Sequence, residues 1–286
     1  MTRIDQFEST FRSAAHDRLQ YEAIQFKKIL LISDKSEAES APILDSLKKH
    51  LSVLNTPSGP SYSLLAGDKT VSTENLISEA ESSGADLICT WRNLHTQDWR
   101  MPHGLGSQLD VLLQKVNIPV LVLPHPDADY SSAHANINTD KVMVITDHLA
   151  NDDRLVNMAV RMTAPNGILY LTHYEDEDVF ERYMNAISKI STIETESARQ
   201  SIRAQLLKEA SYYIETCREV LKEHHLSITV ESHVAFGHRL SSCHDHIARQ
   251  EIDLLVMNTR DDDQMAMHGM AYPLAVELRE IPVLML

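Results

Sequence analysis

Five residues of this 286-residue chain have the types and placement to hold an anion-bearing small molecule: Asp34, Gly106, Ser107, Asp147 and Gly269. Asp34 closes the apolar run Lys28-Ile29-Leu30-Leu31-Ile32-Ser33, and Asp147 closes Lys141-Val142-Met143-Val144-Ile145-Thr146. A carboxylate at the end of a buried strand can accept hydrogen bonds from a ligand, or it can cap the next helix. Gly106, followed by Ser107, and Gly269 each end a loop that enters a helical segment. Glycine lets backbone approach a phosphate, whose charge loop N–H groups and a helix start can then hold. It equally serves a loop that turns tightly into a helix packed on a sheet, with no ligand present.

Other constellations suggest chemistry less well. Six of the fifteen histidines crowd one stretch: His224, His225, His233, His238, His244 and His246. His238, Ser242 and His246 share a helical face and could offer metal ligands, whereas His244 and His246, two apart, point away from each other. A solvated helix surface explains them with fewer assumptions than a metal-dependent hydrolase. Asp261-Asp262-Asp263 with His268 has no EF-hand frame and reads as a solvated loop. Ser107, His103 and Asp110 could be written as a triad. However, Gly104-Leu105-Gly106-Ser107-Gln108 is not a nucleophile elbow, and it is too short for a dinucleotide fingerprint.

The elements that must position these residues come in alternation. A strand from Lys28 is followed by a helical pattern over 38–54, a strand over 62–66 ending at Gly67-Asp68, and a helix through Ile77 and Ala80. Then comes Asp86-Leu87-Ile88-Cys89-Thr90-Trp91, Gly106, and Ile118-Pro119-Val120-Leu121-Val122-Leu123. That unit recurs as Asp253-Leu254-Leu255-Val256-Met257-Asn258, Gly269, and Ile281-Pro282-Val283-Leu284-Met285-Leu286. Each glycine stands thirteen residues before its proline, at 106 and 119 and again at 269 and 282. The spacing predicts two copies of one unit: residues 26–126 and 140–286, joined by a polar linker over 127–139. The second copy adds a strand over 168–173 and a long helical stretch over 178–223, broken near 191–195, so the first is trimmed. Residues 1–25 carry apolar positions at helical spacing and predict an amphipathic N-terminal helix.

Composition sets the outer limits. The length suits two domains of ordinary size. A formal charge of −15 with no basic stripe speaks against nucleic acid and anionic membranes. No run of apolar residues is long enough for a membrane span. The N-terminus lacks a signal-peptide core, and three cysteines without zinc spacing fit a reducing cytoplasm.

The chain resembles a tandem universal stress protein. The residues that carry the likeness are Asp34, Gly67-Asp68, Asp86-Leu87-Ile88, Gly106-Ser107 and Pro119-Val120-Leu121-Val122. In the second copy they are Asp147, Gly237-His238, Asp253-Leu254-Leu255, Gly269 and Pro282-Val283-Leu284. The resemblance implies an α/β fold: two tandem Rossmann-like domains, parallel sheets flanked by helices, five strands in the complete copy, and an internal pseudo-dimer through the last strands. It further implies ATP or AMP between the aspartate and the glycine loop, with Asp34 toward base or ribose and Gly106 and Ser107 toward phosphate. Asp147 and Gly269 are the second-copy counterparts.

The loop itself departs from the family's pattern of three glycines. Its first two glycine positions hold Trp91 and Leu94 in one copy, Asn258 and Asp261 in the other. A side chain at a close-approach glycine blocks phosphate, Trp91 and Trp99 crowd the first cleft, and the aspartates repel a triphosphate in the second. The expectation is a cytoplasmic, non-enzymatic binding or regulatory module acting through protein contacts, with a homodimer formed on the long helical stretch. The alternative is an adenine-nucleotide sensor using the first copy.

Overall fold

The computed structural model describes residues 18–55, 59–101, 104–129, 138–146, 152–259 and 271–286, with only the backbone of Trp99 and Arg239. Elements alternate along the chain: β1 (Lys28–Ser33), α1 (Glu37–His50), β2 (Ser61–Ala66), α2 (Thr73–Ser82), β3 (Leu87–Trp91), α3 (Ser107–Lys115) and β4 (Val120–Leu123). The C-terminal half follows with β5 (Lys141–Thr146), α4 (Asp153–Met162), β6 (Ile168–Asp176), α5 (Glu177–Ile187), α6 (Thr195–Glu223) and β7 (Thr229–Gly237). It ends with α7 (Arg239–Gln250), β8 (Leu254–Met257), α8 (Ala271–Glu277) and β9 (Val283–Met285).

All nine strands form one sheet, in the order β2-β1-β3-β4-β9-β8-β5-β6-β7. Neighbours are parallel except at the joint of the two halves, where β4 and β9 run antiparallel with Leu121 opposite Leu284. Helices cover both faces, so the central strands are apolar throughout rather than alternating, and β3, β4, β8 and β9 are wholly buried. Outward from the joint, β4-β3-β1-β2 mirrors β9-β8-β5-β6, and β7 has no counterpart. By position in the sheet the added strand of the C-terminal half is β7, which follows α5 and α6 in the chain. In the sheet β2 stands where β6 does, but in the chain it precedes α2 as β7 precedes α7.

Local sequence sets the helix limits. Ser36 and Glu39 form a reciprocal capping box at the start of α1. Asp152 caps α4 by accepting from the Leu155 N–H at 3.1 Å, and Asp176 caps α5. The break in the long helical stretch runs over 188–194, within which Glu194 caps α6.

The expected N-terminal helix is corrected in part. Residues 1–17 lie outside the described residues, and 18–25 carry no regular secondary structure. The backbone there is committed elsewhere: the Gln20 carbonyl accepts from Asn157 Nδ2 of α4 at 2.8 Å, Leu19 is buried in the core, and Tyr21 lies against His224. The segment ties α4 and α6 to the start of β1. On the same face Arg161 of α4 donates to the Val53 carbonyl at 2.9 Å, which joins the halves a second time.

Candidate functional site

In an open parallel sheet, ligands bind beyond the C-terminal strand ends where neighbouring crossovers leave in opposite directions. In the N-terminal half that point lies between β1 and β3, flanked by β2 and β4. The chain brings Asp34, Trp91, Gly106 and Ser107 toward it, and fills it with its own groups. Asp34 Oδ1 accepts from Trp91 Nε1 at 3.2 Å, and Asp34 Oδ2 from the His95 backbone N–H at 2.9 Å. Trp91 is wholly buried, and His125 lies edge-on to its ring. His95 Nε2 lies 2.7 Å from the Thr70 hydroxyl, which donates to carbonyls at the end of β1 and at Gly67. Lys35 pairs with Asp127 across the rim at 2.7 Å.

The loop after β3 holds this arrangement through two residues with left-handed backbone, Asn93 at φ 58° and His95 at φ 63°. Asparagine and histidine are among the few side chains that adopt that region readily. Asn93 N–H donates to the Leu105 carbonyl at 2.8 Å, which lays the loop on Gly106. A Cβ on Gly106 would stand 2.7 Å from Asn93 Cα and 2.9 Å from its backbone N, and φ is +88°. This glycine is required by close backbone packing within the chain. Ser107, exposed at the start of α3, donates to the Gln108 side chain at 2.9 Å. Asp110 does not touch it in the described contacts, and His103 lies outside the described residues.

Burial sets the electrostatics. Loss of hydration pushes the His125 imidazole down to about 4, outweighing the pull of Asp127 and Asp34. It pushes Asp110 above the usual carboxylate range. Arg92, also buried, donates to the carbonyls of Ala275 at 2.5 Å and Leu278 at 2.6 Å, at the C-terminal end of α8. It thereby clamps the loop to the other half of the sheet.

In the C-terminal half, Asp147, Gly269 and Asp261-Asp262-Asp263 lie outside the described residues. The described rim consists of Asp152, which accepts from Asn258, and Asp153, which accepts from Tyr213 of α6 at 2.9 Å. Burial raises the Asp152 carboxyl despite those hydrogen bonds.

Several readings of individual residues are settled by this geometry. Capping of α1 falls to Ser36, because Asp34 is taken by Trp91 and His95. The face shared by His238, Ser242 and His246 is not the solvated surface expected. His238 is exposed 3.3 Å from Asp178, while His246 is buried against His233 of β7. Among the described residues no cluster of three or more metal-ligating side chains occurs. Cys89, Cys217 and Cys243 are buried and unpaired, and burial raises each thiol. No described helix is long and apolar enough to cross a membrane.

No protein-family model matches the chain, and no curated protein matches it in sequence. Solved structures do. A universal stress protein from Archaeoglobus fulgidus superposes with a TM-score of 0.52 at 14% identity, covering 90% of this chain and 97% of that one. The chain has the fold of a universal stress protein. A Pseudomonas aeruginosa protein assigned as a universal stress protein gives 0.49 at 14% identity over 91% of this chain and 93% of its own. A functionally unknown protein of the same species gives 0.48 at 14% identity, over 91% and 92%.

The loop after β3 meets the end of β1 through the His95 N–H on Asp34. Sequence reasoning located Asp34, Trp91, Leu94 and Gly106. It missed Thr70, Arg92, Asn93 and His95, which lock them together. The Asn93 and His95 side chains, two and four residues past the end of β3, were the available signal for left-handed backbone.

Proposed function

We propose that this chain is a stress-protein-type binding or regulatory module that works through protein contacts, without catalysis and without a nucleotide in its N-terminal cleft. One observation carries the reading: both oxygens of Asp34 are occupied by Trp91 Nε1 and the His95 N–H. A nucleotide approaching this carboxylate would have to displace a wholly buried indole. It would then leave Trp91 Nε1 and the His95 N–H without an acceptor, at about 1–3 kcal/mol each. Gly106 supports the same reading, since the space above its Cα is taken by the backbone of Asn93.

The contact role rests on where large apolar side chains remain exposed. Tyr183 on α5, Ile190 and Ile193 in the 188–194 turn, and Tyr212 on α6 lie on one helical arm. The first fifteen residues of α6, up to Glu209, include no buried side chain. We take this arm as the contact surface of a homodimer.

The test is a thermal melt with ATP-magnesium and with AMP at millimolar concentration. An unchanged midpoint is expected, because a ligand that does not bind the native state cannot stabilise it. A rise of several degrees would overturn the reading in favour of a nucleotide sensor.

A further inference from the structure

His233 of β7 and His246 of α7 meet where that helix covers the outer strands. Their ring centroids are 4.3 Å apart and their planes are tilted by 41°. Tyr174 of β6 stands edge-on to His233 at 5.2 Å, and Tyr170 of β6 edge-on to His246 at 5.8 Å. His246 is 6% exposed, and its Nε2 is buried with no hydrogen-bond partner among the described residues. These rings sit within the seam that docks α7, alongside the wholly buried Cys243 and the buried Ile247. Two polar ties close the seam, Tyr174 Oη to the Ser242 carbonyl at 3.2 Å and Tyr170 Oη to Gln250 at 3.5 Å.

We propose that the His233–His246 pair is an acid-sensitive latch that holds α7 on β6 and β7 when both rings are neutral and releases it when they take up protons. With both rings protonated, two positive charges would stand at contact distance, that of His246 in a buried place. The charged groups around the pair favour that outcome. From α7 itself, Arg249 acts on both rings, and Asp245 acts on Tyr174. From β6 come Tyr170, Tyr174 and the buried Thr172 hydroxyl, and from β7 the exposed Glu231, two residues before His233. Glu277 of α8 is engaged by His244 at 2.9 Å. The charges that act on the two rings are thus cationic. Desolvation and these neighbours hold His246 down to about 4, while a released ring regains its ordinary affinity for protons.

Hydrogen exchange with mass detection on the full chain tests this, at about pH 7.5 and about pH 5 after correction for intrinsic exchange. Peptides from α7 are expected to lose on the order of tenfold more protection at the lower pH than peptides from β3 and β4, which report the stability of the whole chain. His246→Phe, or His233→Phe should the first fail to fold, is expected to abolish the acid response of α7 alone. Unchanged α7 protection, loss shared equally by β3 and β4, or an acid response retained in both variants would each overturn the latch.

Discussion

At the scale of single residues, Asp34 and Gly106 make close contacts within the chain. Gly106→Ala would force a Cβ to 2.7 Å from Asn93 Cα in a left-handed conformation, so we expect a loss of about 2–4 kcal/mol in urea denaturation. Gly84→Ala is the matched control, at φ +65° with nothing within 4 Å, and should cost about 1 kcal/mol. Asp34→Ala should destabilise by about 1–3 kcal/mol, because it leaves Trp91 Nε1 without an acceptor, and Asp34→Asn should cost less by keeping one. A pure ligand contact predicts a neutral Asp34→Ala, so the two accounts separate cleanly. Asp34 and Gly106 were legible because strand ends and loop glycines leave marks in sequence. Their purpose was not, since a carboxylate's partner depends on the loop's path, set by Asn93, His95 and Thr70.

At the scale of elements, the strands were the most legible part, because parallel strands buried on both faces read as unbroken apolar runs. The break between α5 and α6 was also readable, from the polar stretch that ends in the Glu194 cap. The N-terminal segment was not: Leu19 is buried as the apolar pattern requires, but tertiary contacts with α4 and α6 replace helix over 18–25. The Arg92 clamp was equally hidden, since its acceptors lie more than 180 residues away. Arg92→Ala should cost about 2–4 kcal/mol, because it leaves a buried cavity and unpaired helix-end carbonyls. The exposed arm gives a separate expectation: if it joins two chains, Ile190→Glu with Ile193→Glu yields a monomer by sedimentation, and an unchanged mass rejects that interface.

At the scale of the whole molecule, one continuous sheet joins the halves through β4 and β9, so events at either outer edge remain local while acid acts on both. His125 in one half and His246 in the other are held down to about 4 by burial, against about 6.5 when unfolded. Between those values the unfolded chain binds protons that the native chain refuses. The stability conferred by the neutral rings is therefore complete above about pH 6.5 and is lost as pH falls toward 4, with each ring contributing up to about 1.4 kcal/mol per pH unit. Asp152 and Asp253, raised by burial, oppose this only toward the carboxylate range. Urea midpoints that do not fall between pH 6.5 and 5 would contradict it. Trp91 and His95 occupy the Asp34 carboxylate at the N-terminal cleft. The most direct measurement is native mass spectrometry of freshly purified chain, followed by denaturation and nucleotide analysis of what is released. The bare polypeptide mass and no adenine nucleotide are expected, and a stoichiometric nucleotide carried through purification would overturn the reading of a cleft without nucleotide.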